Sequence, residues 1–175
     1  MKTITTVFAL TLIAGSAHSF ELMSNDIREG HPMAKTFEYS GWGCDGDNVS
    51  PQLEWENMPD GTKSIAITAY DPDAPTGSGF WHWIAYNIPV STTELRRGVD
   101  LGKIGGKSLR IDYGSYGFGG ACPPEGDGMH RYQFTVWALP TDKLNLGPDT
   151  PAAVAGFTLN KIALDKATLT ATYTR

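Results

Sequence analysis

The sequence predicts a mainly β protein, on two observations. Short runs rich in β-branched and aromatic residues recur along the chain, and a single stretch carries the start signals of a helix. The run 132–139 has the two-residue period of a strand with one buried face. The residues on that face are Tyr132, Phe134, Val136 and Ala138. The predicted strands are 36–39, 51–55, 64–70, 81–88, 132–139 and 167–173.

Helix and turn signals are few and local. Thr150 and Pro151 predict a helix start, with the threonine as N-cap and the proline at the first helical position. This helix is expected to run towards Leu164. The pair Asp60-Gly61 predicts a hairpin turn between the second and third strand runs.

The start of the chain predicts export. Residues 1–19 carry Lys2, then a short apolar stretch over 7–14, then Ala17-His18-Ser19. A basic start, a short apolar middle and small residues before the cut form the pattern of a cleaved secretory signal peptide. A transmembrane anchor needs about 20 apolar residues, more than this stretch supplies. We therefore expect cleavage after Ser19, a single mature domain over 20–175, no membrane span and a location in the periplasm.

Composition argues against two classes of partner. The chain has 14 basic and 19 acidic residues and a formal net charge of −5. Nucleic acids and anionic membranes are bound through clusters of lysine and arginine, which this balance does not provide. A basic pair such as Arg96-Arg97 is interpreted as part of a solvated face.

The 2 cysteines, Cys44 and Cys122, predict a disulfide. An even count in an exported chain favours one bond. It would close a loop of about 78 residues, which is worth roughly 4 kcal/mol in the chain-entropy model. Two free buried thiols are the alternative, and zinc is poorly supported because neither cysteine belongs to a CxxC pair.

The segment 98–128 predicts a long functional loop. It contains ten of the chain's 20 glycines and few apolar runs. Loops of that length in a compact domain are usually functional or disordered. Because it runs into Pro123-Pro124 and a histidine-bearing strand, we interpret it as functional.

Two segments place a histidine just after a stiff turn. Residues 71–89 read DPDAPTGSGFWHWIAYNIP, and the two prolines and two acids at their start predict a rigid turn leaving the sheet. The chain then re-enters as a strand that carries His82 among three aromatic residues. Residues 122–132, CPPEGDGMHRY, repeat that order with His130.

Together these segments predict a pocket for a phosphate-type anion. The two histidines, the Tyr132 hydroxyl and loop amides supply donors, and Asp71 is expected to orient a histidine or accept an amine. Trp81, with Trp83 and Phe80, is expected to form apolar walls. Because histidine gains charge around pH 6.5, binding is expected to be tighter near pH 6 than near pH 8. The alternative is that each histidine is a satisfied core residue.

The common enzyme motifs do not account for these residues. Residues 41–46 match GxGxxG, but Pro51 follows too closely for the helix that a dinucleotide site requires. We expect no catalytic residue, no cofactor and no hydrolysis. Two alternatives stay open: a protein-interaction module outside the cytoplasm that binds through 98–128, and a metal-dependent hydrolase. In that hydrolase the metal ion would be bound by Asp71, Asp73, His82 and His130.

Three motifs in order resemble the signature segments of a known family. They are GWGCDGDNVSP over 41–51, DPDAP and FWHW within 71–83, and PPEGDGMHRY over 123–132. On these motifs the chain resembles the phosphatidylethanolamine-binding protein family, which includes Raf kinase inhibitor protein. The first motif is similar to the bacterial branch. The resemblance covers 34–175.

The resemblance implies an antiparallel β-sandwich with a few peripheral helices and a pocket for phosphate-containing ligands, phospholipid head groups among them. Family members inhibit kinases or proteases or act as signalling scaffolds, which implies a protein partner outside the cytoplasm and a homodimer. Bacterial relatives commonly carry Gly-His near the last helix, whereas this chain reads Lys161-Ile162, so a different C-terminal pocket wall is expected. The predicted ligand-binding residues are Asp71, Asp73, Trp81, His82, Cys122, Pro123, Pro124, His130 and Tyr132.

Overall fold

The structure is a computed structural model that describes residues 19–175, so the predicted leader lies outside the described residues apart from Ser19. The strands are β1 (Glu21–Met23), β2 (Ser40–Gly41), β3 (Cys44–Asp45), β4 (Leu53–Glu56), β5 (Ser64–Asp71), β6 (Phe80–Pro89), β7 (Glu94–Leu95), β8 (Lys107–Ser108), β9 (His130–Leu139) and β10 (Asp165–Tyr173). The helix α1 spans Ala152–Ile162, and two 3-10 helices span Lys35–Phe37 and Leu101–Ile104.

These strands form antiparallel sheets, as predicted. A 5-stranded sheet has the order β10-β9-β5-β6-β8, and a 3-stranded sheet has the order β1-β4-β7. A small ribbon pairs β2 with β3. The mainly β fold and its antiparallel sheets are therefore confirmed.

The central strand β5 is buried on both faces. Ile65 and Ile67 point into a core that also contains Leu53 and Trp55 of the smaller sheet. Ala66, between them in sequence, points to a second core under α1. Successive side chains alternate across a strand, so a run that is apolar at every position fits a strand covered on both sides. Burial of this kind supplies the main favourable term in folding.

Most of the predicted strands are confirmed. The runs 64–70, 81–88, 132–139 and 167–173 are the cores of β5, β6, β9 and β10, and each strand extends one or two residues further. The run 51–55 is confirmed in part, because β4 begins at Leu53.

The predicted strand at 36–39 is wrong. A 3-10 helix spans Lys35–Phe37, closed by hydrogen bonds from Phe37 N to Ala34 O (3.0 Å) and from Glu38 N to Lys35 O (2.9 Å). The next residues bond to Ala121 of the long loop instead of a neighbouring strand. The buried Phe37 ring anchors the segment to the main core, so a tertiary contact overrides the local strand preference.

The turn and the helix start also differ from prediction. Asp60-Gly61 does form a turn, but it joins β4 and β5, which lie in different sheets, so it is not a hairpin. The helix starts at Ala152 with Pro151 as N-cap, one residue later than predicted. The reason is that the Pro151 carbonyl accepts the first helical bonds, from Val154 N (2.9 Å) and Ala155 N (3.1 Å).

The predicted disulfide is confirmed. Cys44 and Cys122 are bonded, with Cα atoms 6.0 Å apart and a sequence separation of 78. Across the described residues, no helix is both long and apolar enough to cross a membrane.

Candidate functional site

A cavity of about 170 Å³ lies at one end of the larger sheet, where β5 ends and β6 and β9 begin. Three separate segments of chain meet there, namely the β2–β3 turn, the loop from β5 to β6, and the long loop that leads into β9. The lining residues are Trp42, Asp71, Ala74, Pro75, Thr76, Phe80, His82, Tyr113, Cys122, Pro123, Pro124, His130 and Tyr132.

The deep side chains of this pocket are polar and its outer walls are mostly apolar. Asp71, His82, His130 and Tyr132 are all buried, whereas Trp42 is 66% exposed. Seven of the nine predicted site residues line the cavity. The Cys44–Cys122 bond joins the β2–β3 ribbon, next to Trp42, to the opposite wall at Pro123.

His82 owes its orientation to a β-bulge in β6. Ala69 pairs with Trp83 and Tyr70 pairs with Trp81, so His82 is the extra residue of the longer strand. A bulge bends a strand and re-aims the side chain it carries, and bulges are frequent beside functional sites. As a result His82 and Trp83, although adjacent, both point to the inner side, His82 into the pocket and Trp83 into the main core.

His82 is neutral, which corrects the expectation of two imidazolium donors. Its Nδ1–H donates to the carbonyls of Gly119 (2.9 Å) and Gly120 (3.1 Å). Burial lowers the pKa of His82 to about 4, and those carbonyls together with the Asp71 charge offset the effect only in part. With the proton on Nδ1, the other nitrogen, Nε2, carries a lone pair. His82 therefore offers the pocket an acceptor.

The glycines of the long loop allow this contact. A Cβ on Gly120 would lie 2.4 Å from the Phe37 carbonyl oxygen, and one on Gly119 would lie 2.5 Å from the Tyr113 ring. Gly119 N also donates to the His82 carbonyl (2.8 Å). Only glycine permits so close an approach of backbone to its neighbours. The glycine-rich segment is thus an ordered wall that fixes the His82 tautomer.

His130 has the opposite environment. Its Nδ1 lies 2.7 Å from Asp71 Oδ2 in a fully buried pair, and its Nε2 lies 3.3 Å from Asp127 Oδ2. Burial acts against the charged form, but the hydrogen bonds and charges of Asp71 and then Asp127 outweigh it and raise the pKa of His130. Asp71 Oδ1 accepts Asp73 N (2.8 Å), so both oxygens of the Asp71 carboxylate are bonded within the protein and Oδ2 orients His130.

Tyr132 contributes a hydroxyl without a partner. Its side chain is 2% exposed, and within residues 19–175 its hydroxyl makes no hydrogen bond. The Cys122 backbone approaches it without completing one. Burial, and secondarily the Asp71 charge, raise the pKa of Tyr132, so the hydroxyl keeps its proton and is a donor. A buried unpaired polar group is costly, and one in a pocket is a functional-site candidate.

Two predicted site residues lie outside the cavity. Asp73 is held by Arg131, whose Nε and Nη2 lie 2.8 Å and 2.7 Å from its carboxylate. Trp81 points to the other side of β6, against α1, where a Cβ on Gly156 would lie 2.6 Å from its ring. The geometry does not support Asp73 or Trp81 as a ligand contact. Trp83, which was also expected to form a pocket wall, lies in the main core instead.

Most of the aromatic wall of the pocket was not predicted from the sequence. Tyr113 stacks on Tyr39 with ring centroids 3.9 Å apart and meets Trp42 and Phe80 edge-on, each at 4.8 Å. Phe80 was expected as a wall residue, but Trp42 and Tyr113 were not. Both lie in glycine-rich loops without periodicity, and the one local signal is the Gly-Trp-Gly triplet at 41–43.

The expected effect of Lys161-Ile162 on the pocket is wrong. Both residues belong to α1, which packs on the other face of the sheet through its buried side. The wall at Pro123 is instead braced by Arg175. Its Nε donates to Pro123 O (3.1 Å) and its Nη1 to Gly43 O (2.7 Å).

The ligand set of the hydrolase alternative is not assembled. Among the side chains in the described part of the chain, no three His, Cys, Asp or Glu residues are grouped as a metal site. Asp73 is committed to Arg131, and the Nδ1 atoms of His82 and His130 are committed to carbonyls and to Asp71.

Comparison with known proteins identifies the family. The family model described as "Phosphatidylethanolamine-binding protein" matches residues 23–174. The chain belongs to this family. The resemblance found in the three motifs is thereby confirmed for nearly the whole described chain.

Three relatives illustrate the membership. UPF0098 protein YbcL of Escherichia coli K12 is 45% identical over 182 residues, covering 99% of this chain and 98% of YbcL. The YbcL crystal structure, described as a new member of the mammalian PEBP family, matches with a TM-score of 0.85 over 89% of this chain and 98% of that one. UPF0098 protein YbhB of the same organism is 42% identical, covering 87% of this chain and 99% of YbhB. LppC of Mycobacterium tuberculosis, named as a candidate lipoprotein, is 33% identical, covering 97% of this chain and 79% of LppC.

Proposed function

We propose that the mature protein is an exported, non-enzymatic binding protein whose pocket holds one small oxyanion, a phosphate group free or in a phospholipid head group. The observation that carries this proposal is the buried Tyr132 hydroxyl, a donor without a partner that lines the cavity between His82 and His130. A ligand oxygen at that point satisfies the hydroxyl, which folding alone leaves unpaired.

The charges of the pocket favour a monoanion. The raised pKa of His130 favours its cationic form, which the buried Asp71 carboxylate balances, so this pair attracts a second negative charge only weakly. Tyr132 donates, and His82 Nε2 accepts. A ligand with both an anionic oxygen and an O–H or N–H group uses both, as a singly protonated phosphate or a phosphoethanolamine head group does. The expected pH dependence then rests on His130 alone, and binding weakens as the pH rises through its raised pKa.

Nothing in the pocket is arranged as a nucleophile with its base. Within residues 19–175 no side-chain hydroxyl or thiol is hydrogen-bonded to His82 Nε2, and His130 is paired with carboxylates, so no nucleophile–base pair is assembled. This arrangement supports binding without turnover.

Export is supported by the leader pattern and by the Cys44–Cys122 bond, since disulfides persist in oxidising compartments. The candidate-lipoprotein name of LppC points the same way. We place the protein in the periplasm on these grounds. Modulation of a protein partner and a homodimer follow only from the family, and light scattering on the mature protein tests the dimer.

Calorimetric titration of mature protein with inorganic phosphate and with phosphoethanolamine tests the proposal. Tyr132→Phe removes the single donor atom and should weaken both ligands about tenfold, since hydrogen bonds to charged groups contribute about 1.5–3 kcal/mol. Tyr116→Phe makes the same change at a tyrosine that is exposed and outside the pocket, and should have no effect. Equal affinities in all three proteins, or no binding by wild type, would overturn the proposal. A preference for phosphoethanolamine over phosphate would indicate a head-group ligand.

A further inference from the structure

The loop that leads into β9 carries a second carboxylate to the pocket. Gly126 and Gly128 both have positive φ (79° and 95°), and a Cβ on either would meet nothing within 4 Å. The Cβ positions of both glycines thus face open space, while Gly126 N donates to the Arg175 carbonyl (3.1 Å). Between these glycines, Asp127 turns its carboxylate back to His130 Nε2.

The two carboxylates on His130 differ in how firmly they are held. Asp71 lies at 2.7 Å, and its side chain is 3% exposed at the end of the central strand. Asp127 lies at 3.3 Å, and its side chain is 42% exposed. Exposed ion pairs contribute little, since solvent competes for both partners. His130 thus has one permanent and one exchangeable carboxylate.

His130 has no further donor to offer. An imidazolium has two N–H groups, and Asp71 occupies the one at Nδ1. Any anion that bonds to this ring must therefore bond at Nε2, which lies 3.3 Å from Asp127 Oδ2.

We infer that the Asp127 carboxylate is an internal competitor, which bonds to the His130 Nε2–H and is displaced from it when an anionic ligand binds. This inference rests on the proposed function and assigns Asp127 a role in selectivity. An anion that bonds only to His130 replaces the Asp127 hydrogen bond with a similar one, so its net binding free energy is small. One that also reaches the Tyr132 hydroxyl gains a bond that Asp127 does not make, so the pocket selects for ligands that fill both positions.

Titration of mature protein with inorganic phosphate at low ionic strength tests the inference. Asp127→Asn keeps the shape of the side chain and removes its charge, and should tighten phosphate binding by about threefold to tenfold, the range expected when a weak competing ion pair and a nearby like charge are lost. Glu125→Gln makes the same charge change two residues away, at an exposed side chain outside the pocket, and should shift affinity much less.

A second measurement separates competition from a change in loop structure. In the ¹⁵N NMR spectrum, Asp127→Asn should lower the pKa of His130, because Asp127 is one of the groups that raise it. The His130 Nε2 signal should respond to phosphate in wild type and variant alike.

Three outcomes are decisive. Phosphate binding that is equal or weaker in Asp127→Asn than in wild type overturns the inference and leaves the proposed function standing. An equal gain in Glu125→Gln reduces the effect to net charge and also overturns it. Absence of phosphate binding in all three proteins overturns the proposed function and, with it, the inference.

Discussion

His82 and His130 occupy matching places, each near the start of a strand after a stiff loop, yet their surroundings shift their pKa values in opposite directions. His82 faces two backbone carbonyls and is neutral, and burial lowers its pKa to about 4. His130 is held between two carboxylates, and its pKa is raised. The groups behind each ring therefore set its charge. His82 provides an acceptor, and the surroundings of His130 favour a cation.

The largest effect is expected from removing the carboxylate behind His130. Asp71→Asn leaves a buried imidazole without its counter-charge and should lower the free energy of unfolding by about 3–5 kcal/mol at pH 6. It should also lower the pKa of His130. Urea unfolding and NMR titration measure the two effects.

Asp73→Asn is the matched control for that change. Asp73 lies two residues away and also holds a cation, but its pair with Arg131 is partly exposed. Asp73→Asn should lower the free energy of unfolding by no more than about 1 kcal/mol. Similar losses in both variants would contradict the special position of the buried pair.

The second effect concerns His82 and acid. Its folded pKa lies below the unfolded value of about 6.5, so the unfolded state takes up a proton first and stability falls as the pH drops from 6.5 to about 4. At about 1.4 kcal/mol per pKa unit the loss reaches about 3 kcal/mol. His82→Gln should flatten this part of the profile, whereas His31→Gln, at an exposed histidine, should not. Parallel acid profiles in wild type and His82→Gln would show that His82 ionises normally.

His130 should show the opposite dependence on pH. Because its folded pKa is raised, its contribution to stability is complete below the unfolded value of about 6.5 and is lost as the pH rises through the folded pKa. The same unfolding series, extended to alkaline pH, therefore distinguishes the two histidines within one protein.

The smallest expected effect is a gain in stability. Tyr132 packs edge-on against His82, with ring centroids 5.1 Å apart, and its hydroxyl is buried without a partner. Tyr132→Phe should raise the unfolding free energy of ligand-free protein by about 1 kcal/mol, because a buried unpaired group is removed. Thermal unfolding without phosphate measures it. A lower unfolding free energy in Tyr132→Phe would mean that the hydroxyl already has a hydrogen-bond partner within the protein and is not free to bond to a ligand.

The strands that carry the site were predictable from sequence, and so was the disulfide. The run 64–70 is mostly apolar and rich in β-branched residues, which is typical of a central strand covered on both faces. Two cysteines in a chain with a predicted leader allow a single intramolecular pairing, which the structure contains. The residues of the two histidine segments also identified most of the pocket lining.

What the sequence left undetermined depends on contacts between distant segments. The bulge at His82 reverses the alternation of β6, so the inward tryptophan is Trp83 and the one packed on α1 is Trp81. The segment 36–39 looks like a strand until Phe37 is seen to be anchored in the core. The charge of His82 follows from carbonyls 37 and 38 residues further along the chain.

The Cys44–Cys122 bond has a consequence for where binding is possible. It joins two walls of the pocket that are 78 residues apart in sequence, the small β2–β3 ribbon and the loop that leads into β9. In a reducing compartment these walls have no covalent tie, and the His82–Gly120 contact that orients the acceptor loses a nearby anchor. On the proposed export, this bond would form only after the chain leaves the reducing cytoplasm, so the two walls would be tied together outside that compartment.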